Sequence, residues 1–313
     1  MESGCAVYDL TSRAKIRLTG EDRVRWLNGM VTNNVRDLPL NHGVYCFLLN
    51  AQGRIQGDLY AYNLGESLLI DTDAAQREAI LAIFDKFIVM DDVEVTDVSA
   101  SMMVIGLAGP EARGVLDQAG INLPDLAPLE LCSPKCECEC NCVACTVVRT
   151  DDPSGTAYEI WLTPNQVKPT RDALLKAGAV LASAEAIEEH RIQAGTPKYG
   201  VDIRERDLPQ ETGQERALNF AKGCYLGQEI VERIRSRGNL HRMFVKFLVA
   251  GSGEAGAKIL AGDKEAGEIT SIATVPAANG RTRALGYLRR EFVDNELMAG
   301  RSRVEIDGNK PRK

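Results

Sequence analysis

Two periods of hydrophobic spacing share this chain. The first sustained pattern is helical: in TGEDRVRWLNGMVTNNV, residues 19–35, Val24, Leu27 and Val31 fall on one face with Trp26 and Met30 beside them. Thr19 and Asp22 suggest a capping box at its start. The period then changes to two. VYCFLLN and IQGDLYAYN read as strands joined by the turn AQGR, a hairpin, and SLLIDTD adds a third strand. AAQREAILAIFDKFIV returns to helical spacing, with Ile80, Phe84, Phe87 and Ile88 on its inner stripe, and VEVTDVS closes the series as a strand.

A similar order follows. MMVIGLAG predicts a strand and PEARGVLDQAG a helix with Pro at its start and Gly at its end. ACTVVRT and AYEIWLTP predict strands around the turn-rich DDPSG, and NQVKPTRDALLKAGA a helix that Pro169 starts or interrupts. Two successive mixtures of hairpins and returning helices predict an α+β chain with two subdomains, residues 1–100 and 101–240, each a sheet with helices on one face. From 241 to 313 short strand patterns separated by Gly-containing turns predict a small β-barrel.

Composition narrows the class. The 313 residues are 44% hydrophobic and 26% charged, with a net charge of −7, as in ordinary globular proteins that do not bind nucleic acid over their whole surface. No apolar run is long enough for a transmembrane helix, and the N-terminal stretch has neither a secretory nor a transit pattern, so the expected location is the cytoplasm. Nine cysteines in such a compartment are expected as thiols, leaving packing, metal binding or catalysis as their uses.

Six features carry candidate chemistry. Strand alternation puts Gln56, Asp58, Tyr60 and Tyr62 on one face, either a solvent face or an acid beside aromatic walls suited to a flat, polar-edged heterocycle. Glu159 shares a face with Ala157 and Trp161, and is either exposed or paired with a specific donor. Arg191, in a helix ended by Gly195, is either a surface ion-pair partner of Glu188 or a cation fixing a carboxylate. In KGCYLGQE, Cys224 sits in a Gly-flanked turn before a helix start, near Lys222. That suits a nucleophile or a soft-metal ligand as well as a buried structural cysteine.

The fifth feature is CSPKCECECNCVAC, with Cys132, Cys136, Cys138, Cys140, Cys142 and Cys145. On a regular strand, same-face residues stand roughly 6.5–7 Å apart. Thiolates sharing a zinc at about 2.3 Å must approach within about 4 Å. Only an irregular loop would therefore let these cysteines share one metal, and chance enrichment in a tolerant loop is the competing explanation. The last feature is the acid-free run 233–242, with Arg233, Arg235, Arg237 and Arg242: a site for an anionic partner such as RNA phosphate, or a solvated face. No nucleic-acid motif accompanies it, so direct RNA binding is not favoured. His42, His190 and His241 have no metal-ligand spacing.

Several of these segments, in order, resemble one family. RIQAGTPKYGVDI, LPQETG, LNFAKGCYLGQE and the basic RIRSRG are similar to the signature run of the YgfZ proteins, which are related to the folate-dependent aminomethyltransferase (T-protein) of glycine cleavage. LNGMVTNNV, LNAQGRIQGDL, VVRTDDPSGTAYEI, EAGEITSIATVP and RALGYLRRE extend the resemblance over nearly the whole chain. It implies two ferredoxin-like subdomains forming a central folate pocket, completed by the helical and Cys224-loop segment of the second, and then a β-barrel.

By this resemblance Asp58, Glu159 and Arg191 are folate-binding. Cys224 is the functional thiol, and Lys222, Gly223, Tyr225, Gly227, Gln228 and Glu229 form its loop. The implied cofactor is tetrahydrofolate or a derivative, with a transient iron–sulfur cluster as a further expectation. The implied partners are iron–sulfur assembly or client proteins, including a tRNA-modifying enzyme; the basic run 233–242 could then hold the glutamate tail of folate, and direct tRNA binding is not favoured. Two departures separate the chain from the aminomethyltransferases: Gly57 stands where they usually carry a second acid, and DDPSGTA replaces their T-G-E-D-G turn. The resemblance thus favours a non-catalytic accessory factor over the alternative, a folate-dependent aminomethyl or other one-carbon transferase. A metal-binding protein dominated by residues 132–145 is the third reading.

Overall fold

A computed structural model of the chain describes residues 4–134, 145–153, 155–238, 240–277 and 280–308. The chain divides into two compact units. One comprises residues 1–46 and 57–184, the other residues 47–56 and 185–313.

The first unit is built on two sheets. One has the strand order Gly43–Leu49, Ile55–Asn63, Leu68–Asp73, Arg13–Thr19, Glu94–Asp97, and the tip of its opening hairpin, residues 47–56, belongs to the second unit. The other has the order Val180–Leu181, Ala6–Asp9, Met103–Ala108, Ala157–Leu162, Thr146–Arg149, Leu131–Cys132. Helices cover these sheets by burying single stripes. In Arg77–Phe87 the buried residues are Ile80 and Phe84, one turn apart, and the Phe84 ring meets Trp26 edge-on at 5.1 Å. Trp26, Leu27 and Met30 are the inward stripe of Arg23–Met30.

That helix starts differently from its sequence expectation. Its N-cap is Asp22, without a side-chain cap, because the Asp22 carboxylate is taken by the backbone N–H of Asp92 at 3.0 Å and by Arg25 at 3.2 Å. Pro169 lies in the first turn of Val167–Lys176, where a missing N–H costs no helical bond, so it does not interrupt the helix. Between the two sheets lies a cluster containing Tyr62, Leu69, Val104, Val148 and Trp161, with Tyr60 packed against it.

The second unit holds a closed barrel of six described strands in the order Arg242–Ala250, Arg281–Arg289, Lys264–Ile272, Lys258–Ala261, Leu297–Ala299, Ser302–Ile306. Its interior includes Val245, Phe247, Val249, Ile269, Leu288 and Val304. Register shifts at Ile259/Leu260 and Ile269/Ser271 supply the local bends that closure needs. Helices Ala184–Ala194 and Gln228–Arg237 precede the barrel. Among the described residues no helix is long and apolar enough to cross a membrane.

Candidate functional site

Strand alternation places Asp58 as expected. Ile55, Gly57, Leu59 and Ala61 are buried on one face, and Gln56, Asp58 and Tyr60 are partly open on the other. Tyr45 donates its phenol to Asp58 Oδ2 at 2.6 Å, and Gln76 donates its amide to Oδ1 at 2.7 Å. The Gln76 carbonyl in turn accepts the Asp58 backbone N–H at 2.9 Å. The carboxylate is therefore held from two sides in one orientation.

An aromatic row leads away from it. The rings of Tyr45 and Tyr60 stand 4.9 Å apart, Tyr60 and Tyr62 stack at 6.4 Å, and Tyr62 meets Trp161 edge-on at 5.0 Å. Glu159 stands at the far end, with its side chain 15% exposed. Trp161 donates its indole N–H to Glu159 Oε2 at 3.1 Å, and Lys15 Nζ lies 3.7 Å from the same oxygen. Lys15 also contacts Asp71 at 3.0 Å and sits 4.1 Å from the Trp161 ring centroid. Arg13 pairs with the other Asp71 oxygen at 3.0 Å.

Burial disfavours the charge on Lys15 and lowers its pKa, and Asp71 and Glu159 oppose that shift. Burial also works against the Asp71 carboxylate, but Arg13 and Lys15 outweigh it and hold its pKa below the usual carboxylate value. The Tyr62 phenol is pushed well up, first by burial and then by Glu159 and Asp71. Asp58 and Glu159 thus belong to one polar and aromatic wall of the first unit. Sequence reasoning missed Tyr45, Gln76, Arg13, Lys15 and Asp71. The available signal was a charge set inside an apolar strand, Lys15 in RAKIRL and Asp71 in LLIDTD.

The Cys224 loop belongs to the second unit. Cys224 is exposed, so packing in a core is not its role. The loop is shaped by the Asn219 side chain, which accepts the N–H groups of Ala221 and Lys222 at 2.9 and 3.0 Å, and by Gln228, whose side chain accepts Tyr225 N–H at 3.3 Å. Gly227 caps the helix Gln228–Arg237 at φ 82°, and the Cβ it lacks would stand 2.5 Å from the Asn50 carbonyl oxygen. Cys224, Tyr225, Gly227, Gln228 and Glu229 line one open cavity of about 480 Å³ together with Ala51 and Glu232. Lys222 is buried, with its ammonium 5.1 Å over the Tyr225 ring. Burial, then the charge of Glu232, raises the Tyr225 phenol to about 12.

Arg191 lies in another cluster of the second unit. It grips Glu188 through two bonds of 3.0 and 2.6 Å and reaches Asp202 at 2.6 Å. It also bonds the Thr196 carbonyl at 2.6 Å and Ser271 at 2.8 Å. These contacts engage every N–H of the guanidinium. Asp202 is fully buried and also accepts Lys198 N–H, Thr270 and Ser271. The basic run is divided in the same way. Arg242 is bound to Asp207 at 2.5 Å and Glu211 at 3.1 Å, whereas Arg235 lies on the exposed side of its helix against the Phe220 ring.

Cys136, Cys138, Cys140 and Cys142 lie outside the described residues. Cys132 is partly exposed, on the strand Leu131–Cys132. Cys145 is buried, and desolvation raises its thiol to about 11, with the charge of Cys132 adding to the rise. Among the described residues no group of three His, Cys, Asp or Glu side chains is placed to hold a metal ion.

Residues 1–222 match the family described as the GCVT N-terminal domain. The chain is 30% identical to the aminomethyltransferase of Rubrobacter xylanophilus over 91% of its own length and 76% of that protein's. It is 27% identical to the aminomethyltransferase of Thermosynechococcus vestitus, over 92% and 77%. The glycine cleavage aminomethyltransferase T of Bartonella henselae superposes with a TM-score of 0.85 at 18% identity, covering 98% of this chain and 86% of that one. The chain belongs to the GCVT family, and its mixed α/β fold with a closed C-terminal barrel is that of the T-protein.

Proposed function

We propose that this protein is a tetrahydrofolate-binding accessory factor of the YgfZ type, serving the assembly or maintenance of iron–sulfur proteins, a tRNA-modifying enzyme among them. Two ferredoxin-like subdomains and a barrel are the frame of that reading. The donor chemistry of the first unit fits the reduced folate ring. A pterin is flat and carries N–H donors along one edge, and the wall offers stacked phenols with a carboxylate at each end, Asp58 and Glu159. Arg191 serves this reading by fixing the buried acid Asp202, since its donors are already engaged.

The observation that carries the choice of accessory factor over transferase is Gly57. The position that usually bears a second acid faces away from Asp58 here and packs against Gln76 and Ile80. Cys224 would be the functional thiol, through transient ligation of a metal or cluster delivered as cargo, with Glu229 and Gln228 at the same cavity.

Aminomethyl or other one-carbon transfer is the second reading, and the 30% identity to an aminomethyltransferase favours it. One paired experiment separates them. Calorimetric titration of tetrahydrofolate into wild type and Asp58→Ala is run beside an assay of methylamine-dependent methylene-tetrahydrofolate formation. Tight binding that Asp58→Ala weakens, without turnover, supports the accessory reading; robust turnover overturns it. For the thiol, Cys224→Ala should keep folate binding and lose rescue of iron–sulfur enzyme activity in a deletion strain.

A further inference from the structure

We propose that the C-terminal end of the helix Gln228–Arg237 and the adjoining end of the barrel strand Arg281–Arg289 form a docking surface for an acidic segment of the protein partner that the accessory reading above requires. The surface holds that segment about one helix length from Cys224.

The fold brings together arginines that are far apart in sequence. The Arg290 guanidinium reaches the Gly238 carbonyl at 3.5 Å, 52 residues away, and the Arg290 backbone N–H donates to the His241 carbonyl at 3.0 Å. Arg242 and Arg289 are direct partners in the ladder between the strands Arg242–Ala250 and Arg281–Arg289. On the helix, Arg233 and Arg237 are exposed and one turn apart. These contacts gather Arg233, Arg237, Arg289 and Arg290 around the helix end.

Internal needs account for the neighbouring arginines but not for this group. Arg242 is engaged by Asp207 and Glu211, and Arg235 by Glu232 at 3.6 Å and the Phe220 ring. The exposed side chains of Arg233, Arg237 and Arg289 make no ion pair or hydrogen bond among the described residues. Arg289 also stands directly opposite Arg242, and like charges so placed destabilise a sheet. Glu265 on the neighbouring strand is taken by Lys258 at 2.7 Å, with Arg289 acting on it only from farther away. Cations in the last turn stabilise a helix, which explains Arg235 and Arg237 but neither Arg233 nor the two barrel residues.

Charge complementarity names the occupant. Unpaired guanidiniums on a chain of net charge −7 attract carboxylates or phosphates. A protein segment fits better than a nucleic acid. Glu291 is exposed directly after Arg290, and Glu229 and Glu232 lie on the same helix toward the thiol, so a long polyanion is repelled beyond the four arginines and a short acidic segment is not. Single strands also need open rings for base stacking, and the Phe220 ring beside this helix already carries the Arg235 guanidinium at 4.5 Å. The surface has a direction as well. The ten-residue helix spans about 15 Å, with Glu229 and Glu232 at the Cys224 end and the arginines at the other. An acidic segment therefore seats at the far end and turns the rest of the partner toward the sulfur.

The test uses the full-length protein and two synthetic peptides. Each carries a chloroacetyl group, a flexible Gly/Ser spacer of about ten residues, which matches a span of about 15–20 Å, and then an octaglutamate or an octaserine block. The Cys224 thiolate displaces chloride to form a thioether, read by mass spectrometry on the Cys224 peptide. Rates are taken relative to iodoacetamide labelling of the same variant, which removes changes in the thiol itself. At low salt the acidic peptide should react about tenfold faster than the neutral one, an advantage that fades by about 0.5 M salt. The advantage should vanish in the double variant Arg233→Glu/Arg237→Glu, shrink in Arg289→Glu, and persist in Lys168→Glu, which reverses an exposed charge of the first unit. No advantage in wild type, or one that survives in the double variant, would overturn the surface. An oligonucleotide of equal charge and tether that reacts faster than the peptide through the same arginines would overturn the choice of a protein partner. In the deletion strain the double variant should keep folate binding and lose most of the rescue, and full rescue by it would overturn the docking role. Wild type that fails to rescue removes the accessory reading instead, and the peptide rates then decide the surface alone.

Discussion

The Cβ that Gly57 lacks would stand 3.1 Å from Gln76 Oε1, and Gln76 is the residue that grips Asp58 by both its backbone and its side chain. The absence of an acid at 57 and the fixed orientation of the acid at 58 are thus one packing arrangement. Introducing Gly57→Asp should push Gln76 aside, costing about 1–3 kcal/mol as overpacking does, and weaken tetrahydrofolate binding without creating turnover. Denaturant unfolding, folate titration and the methylene-tetrahydrofolate assay check the three parts. A stable variant that gains activity would show that position 57 alone separates this chain from its transferase relatives.

Tyr45→Phe isolates the other support of Asp58. The ring remains against Tyr60 at 4.9 Å, and the bond of 2.6 Å is lost. The expected loss of stability is about 1–2 kcal/mol, as for a hydrogen bond to a partly solvated charged group. Folate affinity should fall in the same variant, because Asp58 is then held from one side.

Arg191→Met should be among the most damaging single changes in the second unit. It leaves the fully buried Asp202 without its cation, and such a loss costs about 3–5 kcal/mol. Urea unfolding measures it. The surface pair Lys168–Asp172, with side chains 79% and 54% exposed, provides the contrast: Lys168→Met should cost less than about 0.5 kcal/mol.

Acid stability should depend on Asp71. Its pKa in the folded chain lies below the ordinary 3.8 because Arg13 and Lys15 outweigh the burial that opposes its charge. Its contribution is therefore fully present above that ordinary value and is lost as pH falls through the lower folded one. The gap in unfolding free energy between wild type and Asp71→Asn should be constant from neutral pH to about pH 5 and close below pH 3.8.

Thiol labelling should rank the cysteines by access and charge. Cys224 is exposed, whereas Cys5 and Cys145 are buried with thiols raised by desolvation to about 11. Iodoacetamide on the native protein at pH 8 should modify the Cys224 peptide well before those of Cys5 and Cys145, as read by mass spectrometry. Equal rates would mean that the native fold does not shield the two buried thiols.

The periodic elements were legible because they depend on neighbours two to four residues away. Hence the hairpin around AQGR, the stripe of Ile80 and Phe84 and the barrel strands follow from spacing alone. Asp58 was legible as one face of an alternating strand, but its partners Tyr45 and Gln76 lie 13 and 18 residues away and depend on register. The Lys15, Asp71 and Glu159 group joins strands of two sheets, and a charge in a strand reads as solvent-facing until the second sheet is in place. Arg242 shows the same blindness in reverse. In sequence it extends a basic run, and in the fold it is an internal counterion of Asp207 and Glu211.

At Gly227 the start of the helix Gln228–Arg237 lies against the turn at residues 50–53, and Gly53 in turn has no room for a Cβ beside Ile230. Neither glycine can gain a side chain without prising the turn from the helix. The Cys224 loop is therefore clamped at its C-terminal end and free at the thiol. Whatever approaches the sulfur meets a group whose reach is set by the few residues from 219 to 226, and lengthening that span, with both glycines kept, is the way to change the reach without disturbing its anchor.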